Sequence, residues 1–177
     1  MGIDPGTNVL GYAFLDVIDK KPILRNLGVI KLDKYPSHYE KLRVISDRVD
    51  NLIRLNNPDQ MAIEAPFYGK NAQSMLKLGR AQGVAISVGM IRNLTVVEYS
   101  PKKIKNSITG NGNASKEQVA AMLKQILKME TLPKYYDATD ALGAAVCHYL
   151  QGDKPVSSGN NYKNWGDFIK NNPKKVK

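Results

Sequence analysis

Four acidic residues stand where a carboxylate is hard to accommodate. Asp4 follows Gly2-Ile3 and precedes Pro5-Gly6-Thr7, at the end of a first strand. Glu64 ends the apolar stretch Met61-Ala62-Ile63, ahead of Ala65-Pro66-Phe67. Asp137 and Asp140 interrupt an otherwise apolar helical run, DATDALGAAVCHYL. Residues three apart on a helix share a face, with Cβ atoms about 5–6 Å apart. Taken singly, Asp4 caps a turn, Glu64 pairs with a lysine and Asp137 is a first-turn charge favoured by the helix dipole. Taken together they make a site. Strand ends converge on one edge of an α/β sheet, where ligands bind. Clustered carboxylates repel one another unless they are protonated or hold cations. Oxygen-only ligands suit Mg²⁺ or Mn²⁺. Two such ions about 3.5–4 Å apart stabilise both the attacking and the leaving oxygen in phosphodiester hydrolysis.

The elements that would position these residues are legible from periodicity and punctuation. Val9–Ile18 and Ile23–Leu32 read as strands, joined by a turn at Lys20-Lys21-Pro22. Ser37-His38-Tyr39-Glu40 is a capping box, and Leu42, Ile45, Val49 and Leu52 follow at helical spacing until Asn57-Pro58. Gln60–Ala65 is a short strand. A second helix fits Ala72–Arg92, with Gly79, Gly83, Ser87 and Gly89 forming a small side suited to packing on a sheet. Thr95–Tyr99 is a strand, and Pro101 opens a short basic helix. Ser115 to Gln118 caps a helix running to Met129, and a last helix covers Asp137–Leu150. Strands followed by strand–helix alternation give an α/β fold with a mixed sheet.

Composition narrows the function classes. The chain has 177 residues, net charge +10 and 42% hydrophobic residues, which describes one folded domain. Its single cysteine, Cys147, permits no intrachain disulfide. No apolar run is long enough to span a membrane, and the first residues are not a signal peptide. Together these point to the cytoplasm. The charge is uneven. Residues 1–69 carry 9 basic and 9 acidic side chains, whereas residues 70–128 carry 10 and 2. A basic middle fits a polyanion, with nucleic acid the default. A basic chain with an acidic metal pocket has a nuclease's charge pattern. Gly110-Asn111-Gly112-Asn113 is no dinucleotide fingerprint, and neither a phosphate-binding P-loop, a zinc spacing nor a Ser-His-Asp set is present. His148 lies about 16 Å along the helix from Asp137, too far to share its metal, so it is a core or surface residue. His38 is a first-turn helix residue and Cys147 a small buried side chain.

GIDPGT, AIEAPF, KNAQSMLKLGRAQGVA and DATDALGAA, in this order and spacing, resemble the RuvC family of Holliday-junction resolvases over Gly2 to about Leu150. The resemblance implies an RNase H-like fold, a five-stranded mixed sheet flanked by helices, over residues 1–150, with a basic Asn/Lys-rich tail at 151–177. It places the family's four metal-binding and catalytic acidic residues at Asp4, Glu64, Asp137 and Asp140. It implies a homodimer that cuts four-way DNA junctions with Mg²⁺, two ions per site, Mn²⁺ substituting. Metal-activated water attacks the phosphorus in line with the 3′ oxygen, leaving 5′-phosphate and 3′-hydroxyl ends. A two-fold dimer matches the two-fold junction. It implies two partners in recombination and repair, a RuvA-like junction-binding protein and a RuvB-like branch-migration ATPase. Family chains carry several more apolar residues ahead of GIDPG, so the first strand here is short.

The same resemblance assigns DNA contacts. Phe67 matches a family aromatic that stacks at the opened base pairs, with Tyr68 beside it, and Lys105 and Lys116 match lysines at the scissile region. Lys70, Lys77, Arg80, Lys102 and Lys103 are further phosphate-binding candidates, against the simpler reading of solvated surface charges. Three other classes stand beside the nuclease. An actin-like ATPase or sugar kinase shares the Asp4-Pro5-Gly6-Thr7 pattern but needs two such domains, which this length does not provide. A non-catalytic junction-binding protein, and a nuclease of the same fold acting on another branched DNA or on RNA, both remain open at this level.

Overall fold

A computed structural model describes residues 1–66 and 71–152. The elements are β1 (Gly2–Asp4), β2 (Val9–Ile18), β3 (Lys21–Lys31), α1 (His38–Asn56), β4 (Gln60–Glu64), α2 (Ala72–Ile91), β5 (Thr95–Tyr99), α3 (Pro101–Thr109), α4 (Lys116–Ile126) and α5 (Tyr136–Gln151). The strands form one five-stranded sheet in the order β3-β2-β1-β4-β5. β1 pairs antiparallel with β2 and parallel with β4, and β5 extends the parallel half. The mixed α/β sheet read from the sequence is therefore the observed one.

Local chemistry accounts for most boundaries. Ser37 and Ser115 each complete a reciprocal capping box, with Glu40 and Gln118 respectively. Ser100 caps α3, with Pro101 in its first turn and Gly110 ending it in the left-handed region. The hairpin differs from the expected turn. Its two central residues are Asp19 and Lys20, both left-handed at φ 49° and 59°, and Pro22 lies inside β3. Two left-handed residues match the twist of the flanking strands. Pro22 is tolerated because β3 is an edge strand, where a missing N–H need not break a ladder.

Each face of the sheet carries its own core. Ile3, Met61 and Ile63 face α1 and α2, packing with Ile45, Val49, Ala81 and Ala85. Ala62 and Val97 face the other helices, packing with Ile104, Leu123, Ala141 and Leu142. The small side of α2 divides. Gly89 packs against Met61 and Val96, but Gly79 and Gly83 have open space beside them and Ser87 is exposed. The sheet contact is made by Ala81, Ala85 and Val88 instead. Their larger apolar surfaces gain more from burial than a glycine or serine does.

β1 spans only three residues between the ten of β2 and the five of β4. Its register places Gly2 opposite Ala13, so β2 beyond Phe14 has no β1 partner. A cleft of about 980 Å³ follows that gap, lined by Leu15, Val17, Gln60, His148 and Tyr149 among others.

Candidate active site

Side-chain alternation brings the carboxylates to one face. Gly2 sits against α5, at Ala141 and Ala145, so Asp4, two residues on, faces the same way. Ala62 lies in the core on that face, so Glu64 does too. Gly2 pairs with Ala62 and Ile3 with Ile63 across parallel strands, and this register carries Asp4 alongside Glu64. Adjacent strands are about 4.8 Å apart. α5 crosses this face with Asp137 in its first turn and Asp140 one turn later.

Two glycines allow the close approach. A Cβ on Gly2 would overlap the Ala141 carbonyl oxygen, and one on Gly11 would overlap that of Asp137. Gly11 is also the β2 partner of Asp4. Sequence reasoning missed both positions, because neither breaks an element and only α5 makes them necessary.

The electrostatics follow from crowding. Asp4 is pushed up to about 8, first by burial and then by Glu64, Asp140 and Asp137. Glu64 is pushed up to about 7 by burial and then by Asp140. Lys116 and Lys105 oppose the rise at Glu64, and Lys116 opposes it at Asp4. Lys116 Nζ donates to Asp140 Oδ2 at 2.7 Å, and this bond holds the ammonium above its ordinary range. The structure thus gathers Asp4, Glu64, Asp137, Asp140, Lys105 and Lys116. Among the described residues, no three His, Cys, Asp or Glu side chains close on a common coordination point. The Lys116 ammonium stands among the carboxylates. The donor set still suits a hard divalent cation, being all oxygen, with Asp4 and Glu64 desolvated and four carboxylates set against few positive charges.

The remaining predicted positions fall elsewhere. Lys77 and Arg80 are exposed on α2 and act on His38, together with Lys41. Lys102 and Lys103 are exposed on α3. Phe67, Tyr68 and Lys70 lie outside the described residues, as does the tail from residue 153. His148 sits near the other end of α5, its Nδ1 2.8 Å from the Tyr99 hydroxyl and its Nε2 2.5 Å from Gln60 Oε1. Cys147 is buried with its Sγ 3.4 Å from Ser107 Oγ. Among the described residues no helix is long and apolar enough to cross a membrane.

Comparison with known proteins agrees with this fold. Residues 1–148 match the family model described as crossover junction endodeoxyribonuclease RuvC. The RuvC of Cytophaga hutchinsonii is 56% identical over 178 residues, covering 100% of this chain and 87% of that protein. The RuvC of Porphyromonas gingivalis is 53% identical over 182 residues, covering 100% and 96%. Among solved structures, Thermus thermophilus RuvC in complex with a Holliday junction substrate superposes with a TM-score of 0.79 at 29% identity, covering 85% of this chain and 92% of that one. With the carboxylates on an RNase H-like sheet and relatives this near over the full length, the chain belongs to the RuvC family of crossover junction endodeoxyribonucleases.

Proposed function

We propose that Asp4, Glu64, Asp137 and Asp140 form the cutting centre of this Holliday junction resolvase, with Lys105 and Lys116 engaging the scissile phosphodiester. The activity is hydrolysis of phosphodiester bonds in four-way DNA junctions, and the family is metal-dependent. The observation that carries the reading is the convergence of two strand-end carboxylates with the Asp137/Asp140 pair across one sheet face. The four carboxylates hold Mg²⁺, two ions per site, with Mn²⁺ as a substitute. When bound, these ions supply charge neutralisation at the phosphate and an activated water. The residues of the chain do the rest. Burial keeps water from screening Asp4 and Glu64, and Lys116 leaves Asp140 to meet the phosphate as the negative charge of Asp140 is taken up. Lys105 adds a second positive charge beside Glu64.

The nuclease domain ends with α5 near residue 150, and the basic tail 151–177 follows it. The enzyme acts in the cytoplasm as a homodimer, two symmetric nicks matching the two-fold junction. The solvent-facing stripe of α2, with exposed Leu76 and Met90 flanking Gly79, Gly83 and Ser87, is the contact surface. RuvA-like and RuvB-like proteins deliver the junction, Phe67 with Tyr68 beside it stacks at the opened base pairs, and Lys70, Lys77 and Arg80 bind the phosphates. The test is a labelled four-way junction with a mobile core, incubated with and without Mg²⁺, beside plain duplex and the Asp140→Asn protein. Paired nicks that need the metal and Asp140 and spare duplex are expected. Tight binding without cutting by the unaltered protein, under any divalent cation, overturns the catalytic reading in favour of a junction-binding protein.

A further inference from the structure

The rim of the carboxylate site carries two adjacent exposed aromatics that no part of the chemistry above uses. Tyr135 and Tyr136 are 38% and 59% exposed, a large apolar surface to leave in water. Each has a lysine ammonium against its ring. Lys31 Nζ lies 5.2 Å from the Tyr135 centroid, and Lys116 Nζ lies 5.8 Å from the Tyr136 centroid. The two rings differ in what else holds them. Lys31 engages the Tyr135 hydroxyl as well as its ring. Tyr136 shares its lysine with the active site, because the same ammonium donates to Asp140. Tyr136 also opens α5, one residue ahead of Asp137. It therefore stands at the mouth of the site with its ring largely in solvent.

An exposed ring amid positive charge, beside a phosphodiester-cutting centre, is suited to one part of DNA. Ammonium groups take the phosphates, and the aromatic face takes a base that has left its stack. Paired bases in duplex offer no free face, whereas a base whose pair is opened at a branch point does. We infer that Tyr136 is a nucleobase platform: it stacks on an unpaired base next to the scissile phosphate and so favours cutting at branch points. This rests on the nuclease reading of the site. The platform belongs to α5 itself.

The test uses the full chain and a four-way junction carrying, one at a time, an abasic site or 2-aminopurine at the two nucleotides on either side of the nick. Tyr136→Ala is expected to bind the junction about tenfold more weakly. Its binding to plain duplex and its kcat at saturating junction stay near those of the unaltered protein. Tyr136→Phe keeps the affinity. An abasic site at one of the four positions weakens the unaltered protein and adds nothing to Tyr136→Ala, and 2-aminopurine there changes its fluorescence on binding only when the ring is present. Equal junction affinity for Tyr136→Ala and the unaltered protein overturns the inference while leaving the nuclease reading in place. So does a loss confined to kcat, which would make Tyr136 a positioning residue for Lys116, or a Tyr136→Phe defect as large as that of Tyr136→Ala. An unaltered protein that cuts no junction overturns the nuclease reading and the platform with it. Thermal melts establish that each variant is folded, and Tyr136→Leu separates stacking from simple apolar area.

Discussion

Gly11 lies directly beneath the backbone carbonyl of Asp137, so close that a Cβ on Gly11 would overlap that oxygen. Gly11 is also the strand partner of Asp4. One missing side chain thus sets the distance between two of the four carboxylates. Gly11→Ala must push the start of α5 off the sheet. Overpacking of this kind costs about 1–3 kcal/mol. Small misplacements of reacting groups cost about 100-fold in rate. Junction cleavage is expected to fall by about that factor while far-ultraviolet circular dichroism stays native-like. Cleavage within threefold of the unaltered protein would show that the helix absorbs the extra methyl.

Asp4 and Glu64 make the metal-free protein sensitive to pH. Both are raised in the folded state, to about 8 and about 7, above their ordinary values near 4. A raised acid favours the folded state fully below its unfolded value, and that contribution is lost as pH rises through the folded value. In chelator, the melting temperature is expected to fall between pH 5 and pH 8, and divalent cation is expected to restore more of it at pH 8 than at pH 5. A melting temperature that rises over that window would contradict the assignment.

Asp4→Asn removes the most strained charge of the cluster. Its expected phenotype is opposed in two assays. Cleavage is expected to be lost by about 1,000-fold or more if Asp4 is the proposed cation ligand. In chelator at pH 8 the variant melts higher than the unaltered protein, because a desolvated carboxylate no longer has to ionise or keep a proton. Calorimetry and the junction assay read the two effects separately.

Lys116→Met tests a charge that is 57% exposed in its side chain. Its ion pair with Asp140 is accessible to water, so the stability change is expected to stay below about 1 kcal/mol. Junction affinity should weaken, and the slope of log affinity against log salt should drop by about 1, as for one phosphate contact. An unchanged slope would place Lys116 off the DNA.

A Leu76→Asp change on the exposed stripe of α2 tests the proposed assembly: sedimentation is expected to show a dimer for the unaltered protein and a monomer for the variant.

What could be read without the structure was what acts over short range. The capping boxes at Ser37 and Ser115, Pro101 at the head of α3, and the alternation that ends β1 on Asp4 and β4 on Glu64 each depend on neighbours a few residues away. The four carboxylates were visible for the same reason, as charges set against apolar local patterns, and their motifs carried the family. Tertiary contact decided the rest. Lys116 and Asp140 meet across 24 residues, and Gly11 and Asp137 across more than a hundred. The charges of Lys77 and Arg80 act on His38, whereas that of Lys105 acts on Glu64. Gly79, Gly83 and Ser87 on the small side of α2 turned to solvent because Ala81, Ala85 and Val88 had more surface to bury against the sheet. A one-dimensional pattern specifies which face of an element is apolar or charged. Which distant surface that face meets is settled only when the sheet and helices pack.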